Sequence, residues 1–426
     1  MKYVIIYPGR LKGNINIPPS KSICHRAIIC AALSEGVSNI ENAGFSQDIA
    51  ATCNAVKCLG ADIKRKGTSL IIKGSTPLSI ANSYIDCFES GSTLRFLIPI
   101  AASLGGRITF DGRGNLAERP MQPYYDIFDA QKLSYKNAEG KLPLTIEGKL
   151  KPGDFMIKGN VSSQFISGLL LALPVLDGDS KIIVTSKLES RPYIDLTLEV
   201  MKAFGISVIN NNYSEFIIKG NQKYKAADYT VEGDFSQAAF YVAADILGSG
   251  IECSGLNMDS LQGDKTIIDI VKSMGAEVYT ENDKLKVNSS KAKGIIIDVS
   301  ECPDLVPAIA VIGALGQGTT KIINAGRLRF KECDRLAAIS SELNKIGADI
   351  KEEQEGLIIN GKDMLEGGMV DSCNDHRIAM AMAIASLKCT NPLIIKDAGC
   401  IKKSYPDFWC HFKKMGGKID EWCVGE

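Results

Sequence analysis

One kind of segment returns six times along the chain, about every 70 residues, and it sets what the chain can fold into. Each copy is a short polar stretch that opens an apolar run rich in Ala, Leu and Ile. The copies begin at residues 19–26, 89–95, 160–164, 233–237, 302–305 and 373–377. A fixed period of this size marks one supersecondary unit used repeatedly. The polar residues fall where each helix is expected to begin, so they share one end of their units. A helix start carries free N–H groups and partial positive charge, which favours anions. Several such starts brought together would form an anion-binding cleft.

Short β-like stretches lie between the helical runs, at residues 69–74, 181–184, 215–220 and 356–361. Four helices are expected to end in a Lys-bearing last turn and a glycine, at Gly60, Gly205, Gly275 and Gly347. Each unit then reads as helix, strand, strand, helix, strand, which gives an α/β fold. Three units span residues 20–231 and three span 232–426, predicting two similar domains with the site in a cleft between them. The crossing is expected within 225–234. A leading strand in residues 1–19 is expected to complete the sheet of the second set.

Lys plus Arg equals Asp plus Glu, at 49 each, so no net charge attracts nucleic acid or a membrane surface. Any anion must be held by local clusters. The thirteen cysteines are odd in number, scattered and mostly apolar in setting, with no Cys-x-x-Cys pair. They read as free thiols in a reducing cytoplasm. No apolar stretch has the length of a membrane span, and the start of the chain does not read as a signal peptide. The expectation is a soluble cytoplasmic protein.

The chemistry-bearing residues cluster at the repeat starts and the loops beside them. Lys21, Ser22 and Arg26 combine an ammonium, a hydroxyl and a guanidinium at one helix start, with Ser22 and Arg26 four apart on one face. Such a set suits a phosphate or a carboxylate, although a capped helix with solvated charges would account for this segment alone. Arg119 precedes a proline in a loop that would otherwise read as a surface turn. Ser162, Ser163 and Gln164 offer two hydroxyls and an amide where one serine suffices as a cap. Ser190, Arg191 and Tyr193 add a hydroxyl, a cation and a phenol. Residues 328–336 carry five charges, with Lys331 and Arg335 spaced four apart on one helical face and Glu332 on the next. His376 stands beside Arg377 at a helix start, and Lys403 lies in a basic turn. Each cluster has an ordinary reading as a cap or a solvated face. Together they place Lys21, Arg26, Arg95, Arg119, Arg335, Arg377 and Lys403 at equivalent ends of different repeats. Few acids accompany them, chiefly Asp304 and Glu332. Many cations around a small polyanion, with two carboxylates left for proton transfer, is an enzyme-like set.

In this order the motifs resemble the EPSP synthases, the 3-phosphoshikimate 1-carboxyvinyltransferases, over essentially the whole chain. The signatures are Pro19-Ser20-Lys21-Ser22 with Arg26, Glu118-Arg119-Pro120-Met121, Ser162-Ser163-Gln164-Phe165, Arg329 to Arg335, Asp375-His376-Arg377 with Ala379-Met380, and Lys403-Ser404-Tyr405-Pro406-Asp407. The resemblance implies two domains, each of three βαβαββ units around a pseudo-threefold axis. It implies transfer of the enolpyruvyl group of phosphoenolpyruvate to the 5-hydroxyl of shikimate 3-phosphate by addition and elimination, without metal or organic cofactor, in a monomer. Lys21, Ser22, Arg26, Ser162, Ser163, Gln164, Ser190, Asp304 and Lys331 match shikimate 3-phosphate contacts. Lys21, Gly91, Arg119, Gln164, Arg335, Arg377 and Lys403 match phosphoenolpyruvate contacts. Asp304 matches the base at the 5-hydroxyl and Glu332 the acid at the methylene carbon, with Lys21 and Lys403 stabilising charge and the leaving phosphate. Arg191, Tyr193 and His376 are further candidates. The chain departs from the family at Glu89-Ser90-Gly91, where Asn-Ala-Gly or Asn-Ser-Gly is usual, which bears on sensitivity to the inhibitor glyphosate. A related family acts on UDP-N-acetylglucosamine and carries a reactive cysteine near Arg119. Residues 111–121 hold no cysteine.

Overall fold

The computed structural model describes residues 1–75, 79–281, 284–288 and 291–423. The polar segments open helices, as their composition predicts: Lys21–Leu33, Gly91–Leu104, Ser163–Ala172, Phe235–Ile246, Val306–Ala314 and His376–Ala385. In four of them the segment caps its own helix through a side chain. Ser90 accepts from the Thr93 N–H, Ser162 from Gln164, Asp234 from Ser236 and Asp375 from Arg377. Each bond satisfies one of the orphan donors of a first turn. The four expected C-terminal glycines all take positive φ, at 96°, 80°, 99° and 94° for Gly60, Gly205, Gly275 and Gly347. A side chain at such a position would be strained, so glycine ends the helix there.

These six helices are buried almost all round. A helix apolar on every face has to be surrounded. Second helices such as Arg191–Ala203 and Arg335–Lys345 instead bury one face, through Ile194, Val200 and Met201 or Leu336, Ile339 and Leu343. The chain divides into two compact units, Met1–Pro18 with Gly233–Glu426, and Pro19–Glu232. Each has its own apolar core around three of the buried helices.

The strand order within a repeat differs from the order read from periodicity. After five of the buried helices come a strand, a second helix and then a hairpin of two strands, as in Thr319–Ile323, Arg335–Lys345, Asp349–Glu353 and Gly356–Asn360; after His376–Ala385 the last strand, Ile419–Cys423, takes Lys2–Ile6 as its antiparallel partner instead. The second helix precedes the hairpin because a strand that runs parallel to its predecessor needs a helical crossover, while antiparallel neighbours need only a turn. Among the described residues the chain forms six four-stranded sheets with one shared plan. Ile296–Asp298 pairs in parallel with Thr319–Ile323, which pairs antiparallel with Gly356–Asn360, itself antiparallel to Asp349–Glu353.

The leading segment supplies two strands where one is expected. Lys2–Ile6 lies between Leu393–Lys396 and Ile419–Cys423, antiparallel to both. Lys12–Asn16 pairs in parallel with Gly250–Ser254. In the other repeats an edge strand is followed by a buried helix and then by its own parallel partner. Here Lys12–Asn16 leads into Lys21–Leu33 but stays in the sheet of Gly250–Ser254. Asp228–Thr230 leads into Phe235–Ile246 but pairs with Val37–Glu41. Two repeats have exchanged their edge strands at the points where the chain crosses between units. No helix among the described residues is long and apolar enough to cross a membrane.

Candidate active site

In the unit of residues 19–232, three buried helices start close together, and hydrogen bonds tie the starts to one another. The Arg95 guanidinium donates to Gln164 Oε1 at 2.8 Å, and Gln164 Nε2 donates to Ser92 Oγ at 3.0 Å. Arg95 also lies over the Phe165 ring, 4.8 Å from its centroid. Gly91 opens its helix because the Arg119 side chain passes beside it. A Cβ at Gly91 would stand 2.8 Å from Arg119 Nη1 and 3.5 Å from Gln164 Oε1. Arg119, Gln164 and the Gly91 helix start are thereby brought together, three residues that the sequence places far apart.

Lys21 reaches Asp48 Oδ2 at 2.6 Å. Asp48 is absent from the sequence reading because an acid in a first helical turn reads simply as a complement to the helix dipole. Nothing in a separation of 27 residues announces its lysine partner. His25 is buried below Lys21, with Nδ1 2.7 Å from Thr52 Oγ1. From there hydroxyls continue through Thr93, at 2.6 Å, to the cap Ser90, at 2.7 Å. Burial, with Lys21 and Arg26 nearby, holds the His25 imidazole well below its ordinary value of 6.5, so it is neutral.

Arg26 lies inside the unit, only 2% exposed. Its guanidinium donates to Thr197 Oγ1 at 2.7 Å, the Ser22 carbonyl at 2.7 Å and the Tyr193 carbonyl at 3.0 Å. Burial pushes its pKa down to about 10. Arg26 therefore clamps the Lys21 and Arg191 helices together. Ser190, at the start of the latter, holds left-handed backbone at φ 57°. A non-glycine residue there is strained and held by its surroundings, as is common at functional sites. Arg191 is drawn over the Tyr213 ring, at 5.4 Å. Ser163 is buried at the first turn of its helix and Ser162 is spent partly as the cap. Glu89 is half-buried against the start of the loop that carries Arg119, since a Cβ at Gly114 would stand 2.7 Å from its Oε2.

In the other unit Asp304 is the centre. Its Oδ1 stands 2.9 Å from Arg335 Nη1 and 3.3 Å from Lys331 Nζ, and its Oδ2 3.0 Å from Arg377 Nη2. Burial alone would raise this carboxyl, yet Arg377, Lys331 and Arg335 hold it well below the usual carboxylate range. Arg335 is a buried hub, 1% exposed, which also bonds Asp375 Oδ2 at 2.6 Å and Glu332 Oε2 at 2.5 Å. Burial lowers the Lys331 ammonium below its ordinary value, against the pull of Asp304. Lys403 donates to the Asn374 carbonyl at 2.7 Å. Cys373 and Asn374 both adopt left-handed backbone, at φ 52° and 54°, just before the cap Asp375. His376 is buried with Nδ1 3.9 Å from Asp375 Oδ1, beyond hydrogen-bond reach.

One expectation about this region needs correction. Lys331 and Arg335 do not share a helical face. Gly326–Phe330 is a short 3-10 helix, and the α-helix starts at Arg335 behind the cap Asp334. The two cations meet at Asp304 through a loop instead. Asp375, part of the motif at residues 375–380, proves to be both a helix cap and a partner of Arg335 through both of its oxygens. Among the described residues no group of three His, Cys, Asp or Glu could hold a metal ion. All thirteen cysteines are free, and burial raises the thiol pKa of most of them, which keeps them inert.

Each unit thus gathers cations and hydroxyls at the starts of buried helices, and one adds two carboxylates within reach of them. The sequence profile of EPSP synthase (3-phosphoshikimate 1-carboxyvinyltransferase) matches residues 6–412. A 3-phosphoshikimate 1-carboxyvinyltransferase of Clostridium kluyveri is 58% identical over 426 residues, covering all of both chains. Its counterpart in Clostridium novyi is 59% identical over 435 residues, again covering all of both. A solved EPSP synthase structure from Acinetobacter baumannii superposes with a TM-score of 0.84 at 25% identity, covering 99% of this chain and 100% of that one. With its fold, its repeat-start motifs and full-length relatives in agreement, the chain belongs to the EPSP synthase family.

Proposed function

We propose that this chain transfers the enolpyruvyl group of phosphoenolpyruvate to the 5-hydroxyl of shikimate 3-phosphate and releases phosphate, a reading supported by its family and relatives, which are named 3-phosphoshikimate 1-carboxyvinyltransferases. The observation that carries the residue assignment is Asp304 held between Lys331, Arg335 and Arg377. In the ligand-free protein those cations make Asp304 a weak base. A phosphate or carboxylate of bound substrate competes for the same cations. As they turn toward the ligand, Asp304 loses their stabilisation and its affinity for a proton rises. Binding thus activates the base that takes the 5-hydroxyl proton, at the moment when a substrate is present to give it.

Glu332 shares Arg335 Nη2 with Asp375 and is the donor to the methylene carbon. Lys21, Arg119, Gln164 and the Gly91 helix start hold phosphoenolpyruvate together with Arg335, Arg377 and Lys403. Ser22, Ser162, Ser163, Ser190 and Lys331 hold shikimate 3-phosphate. Arg26 serves that substrate indirectly, by fixing Ser22 and the Ser190 turn. The protein acts as a cytoplasmic monomer on these small molecules. The test is product identity. Incubation with both substrates yields a shikimate 3-phosphate carrying one carboxyvinyl group in place of the hydroxyl hydrogen, with one phosphate released. Recovery of unaltered shikimate 3-phosphate overturns the proposal.

A further inference from the structure

The fourth repeat start, residues 233–237, carries none of the assigned substrate contacts. Two of its side chains are engaged within their own repeat. Asp234 accepts the Ser236 N–H at 2.8 Å, and Ser236 Oγ donates to Asp264 Oδ2 in the short 3-10 helix Gly263–Thr266. Gln237 reaches further. It is 2% exposed, and its Nε2 donates to Ser404 Oγ at 2.8 Å, across 167 residues of sequence. One turn along the same helix, Tyr241 Oη lies 2.9 Å from Tyr405 Oη. Residues four apart share a helix face. One face of Phe235–Ile246 thus takes hold of two consecutive residues, and these directly follow Lys403.

Lys403 is held at its tip as well as at its root. Its ammonium donates to the Asn374 carbonyl at 2.7 Å, at the sixth repeat start. At its root the 3-10 helix Ala398–Lys403 ends, and the Ser404 and Tyr405 N–H groups both return to the Ile401 carbonyl, at 3.1 and 2.8 Å. Tyr405 Oη has a second partner in His411 Nδ1 at 2.7 Å, whereas the half-buried Ser404 is tied by its hydroxyl to Gln237. Gln237 is costly where it stands. Its Oε1 is buried and meets no donor among the described residues. A buried amide left half-paired weakens a fold, so an apolar side chain of the same length would suit stability better. We propose that Gln237 is a positioning residue for Lys403. Through Ser404 it fixes the main chain from which the ammonium reaches phosphoenolpyruvate, a role that rests on the assignment of Lys403 to that substrate above.

Two measurements test this, and the first needs no activity. Gln237→Met keeps the length of the side chain and removes the bond. In ligand-free protein, hydrogen exchange at the Ser404 and Tyr405 amides is at least about threefold faster in the variant, while the Phe235–Ile246 amides keep their protection. The thermal midpoint is unchanged or higher. Unchanged exchange at Ser404 and Tyr405 overturns the proposal. The second measurement is steady-state kinetics. Gln237→Met and Ser404→Ala each lower kcat/KM for phosphoenolpyruvate about 3- to 10-fold, the worth of one neutral hydrogen bond, and leave KM for shikimate 3-phosphate unchanged. The double variant loses no more than the worse single one, because the two side chains share one bond. Ser404→Thr, which keeps the hydroxyl, keeps the wild-type kcat/KM. Equal losses for both substrates, additive losses in the double variant, or a lowered thermal midpoint in Gln237→Met mark a purely structural role and overturn the proposal. A wild type that makes no product refutes the functional reading instead, and faster exchange in Gln237→Met then still supports the hold on the Lys403 segment.

Discussion

Arg26 and Arg335 are buried cations of different kinds. The Arg26 guanidinium bonds hydroxyls and carbonyls, so it can leave a shaped clamp but no counter-charge. Replacing it with Met leaves several buried acceptors unmet. We expect a stability loss of about 2–5 kcal/mol, seen as a lower thermal midpoint, with any loss of affinity secondary. A variant of unchanged midpoint and weakened shikimate 3-phosphate binding would return Arg26 to direct contact. Arg335 is bound by Asp304, Glu332 and Asp375. Arg335→Lys keeps the charge but loses the planar fork, and should cut kcat/KM for phosphoenolpyruvate by ~10–150-fold, the cost of one charge-assisted bond. His25 adds a pH dependence to the fold. Its pKa is depressed in the folded state, so its contribution is full above the unfolded value of 6.5 and is lost as pH falls below it. His25→Gln should flatten the fall in stability measured by denaturant titration between pH 7 and pH 5, windows of about that unfolded value. An equally steep fall in the variant would place the acid sensitivity elsewhere.

At the scale of the element, a helix start does two jobs here, capping itself and receiving an anion. Gly91 shows how closely they are fitted. Ala at this position would push against Arg119 Nη1 at 2.8 Å and Gln164 Oε1 at 3.5 Å, while its helix gains a better former. Gly91→Ala should therefore leave the far-ultraviolet dichroism and thermal midpoint unchanged and raise KM for phosphoenolpyruvate at least tenfold. An unchanged KM would show that Arg119 yields at no cost. The repeat starts were legible in the sequence because polar residues before an all-apolar run have few other meanings. The order of strands within a repeat was not, since short apolar strands look alike whether they pair in parallel or as hairpins. At the site, the motif residues could be read individually. Their partners could not: Asp48, Thr52, Asp264 and Thr197 sit in unremarkable helix turns and acquire meaning only from residues 27 to 171 positions away.

For the whole molecule, the six sheets share a plan that two repeats break in a reciprocal way. Each crossing segment leaves its edge strand in the unit it departs from, so the sheet edges there are closed by chain from elsewhere. Ile15→Asp, at a position 3% exposed, should accordingly speed hydrogen exchange in Gly250–Ser254 and leave Val37–Glu41 protected. The reverse pattern would contradict the exchange of strands. The larger consequence is functional. The unit of residues 19–232 holds the Lys21 and Arg119 set, and the other holds Asp304 with its cations. If both serve one reaction, neither set is dispensable. The most direct measurement is phosphate release by the purified protein, with Lys21→Met and Asp304→Asn beside the wild type. Release is expected only when phosphoenolpyruvate and shikimate 3-phosphate are both present, with a loss of at least about 100-fold in each folded variant. Release from phosphoenolpyruvate alone, or near-normal turnover in either variant, would contradict it.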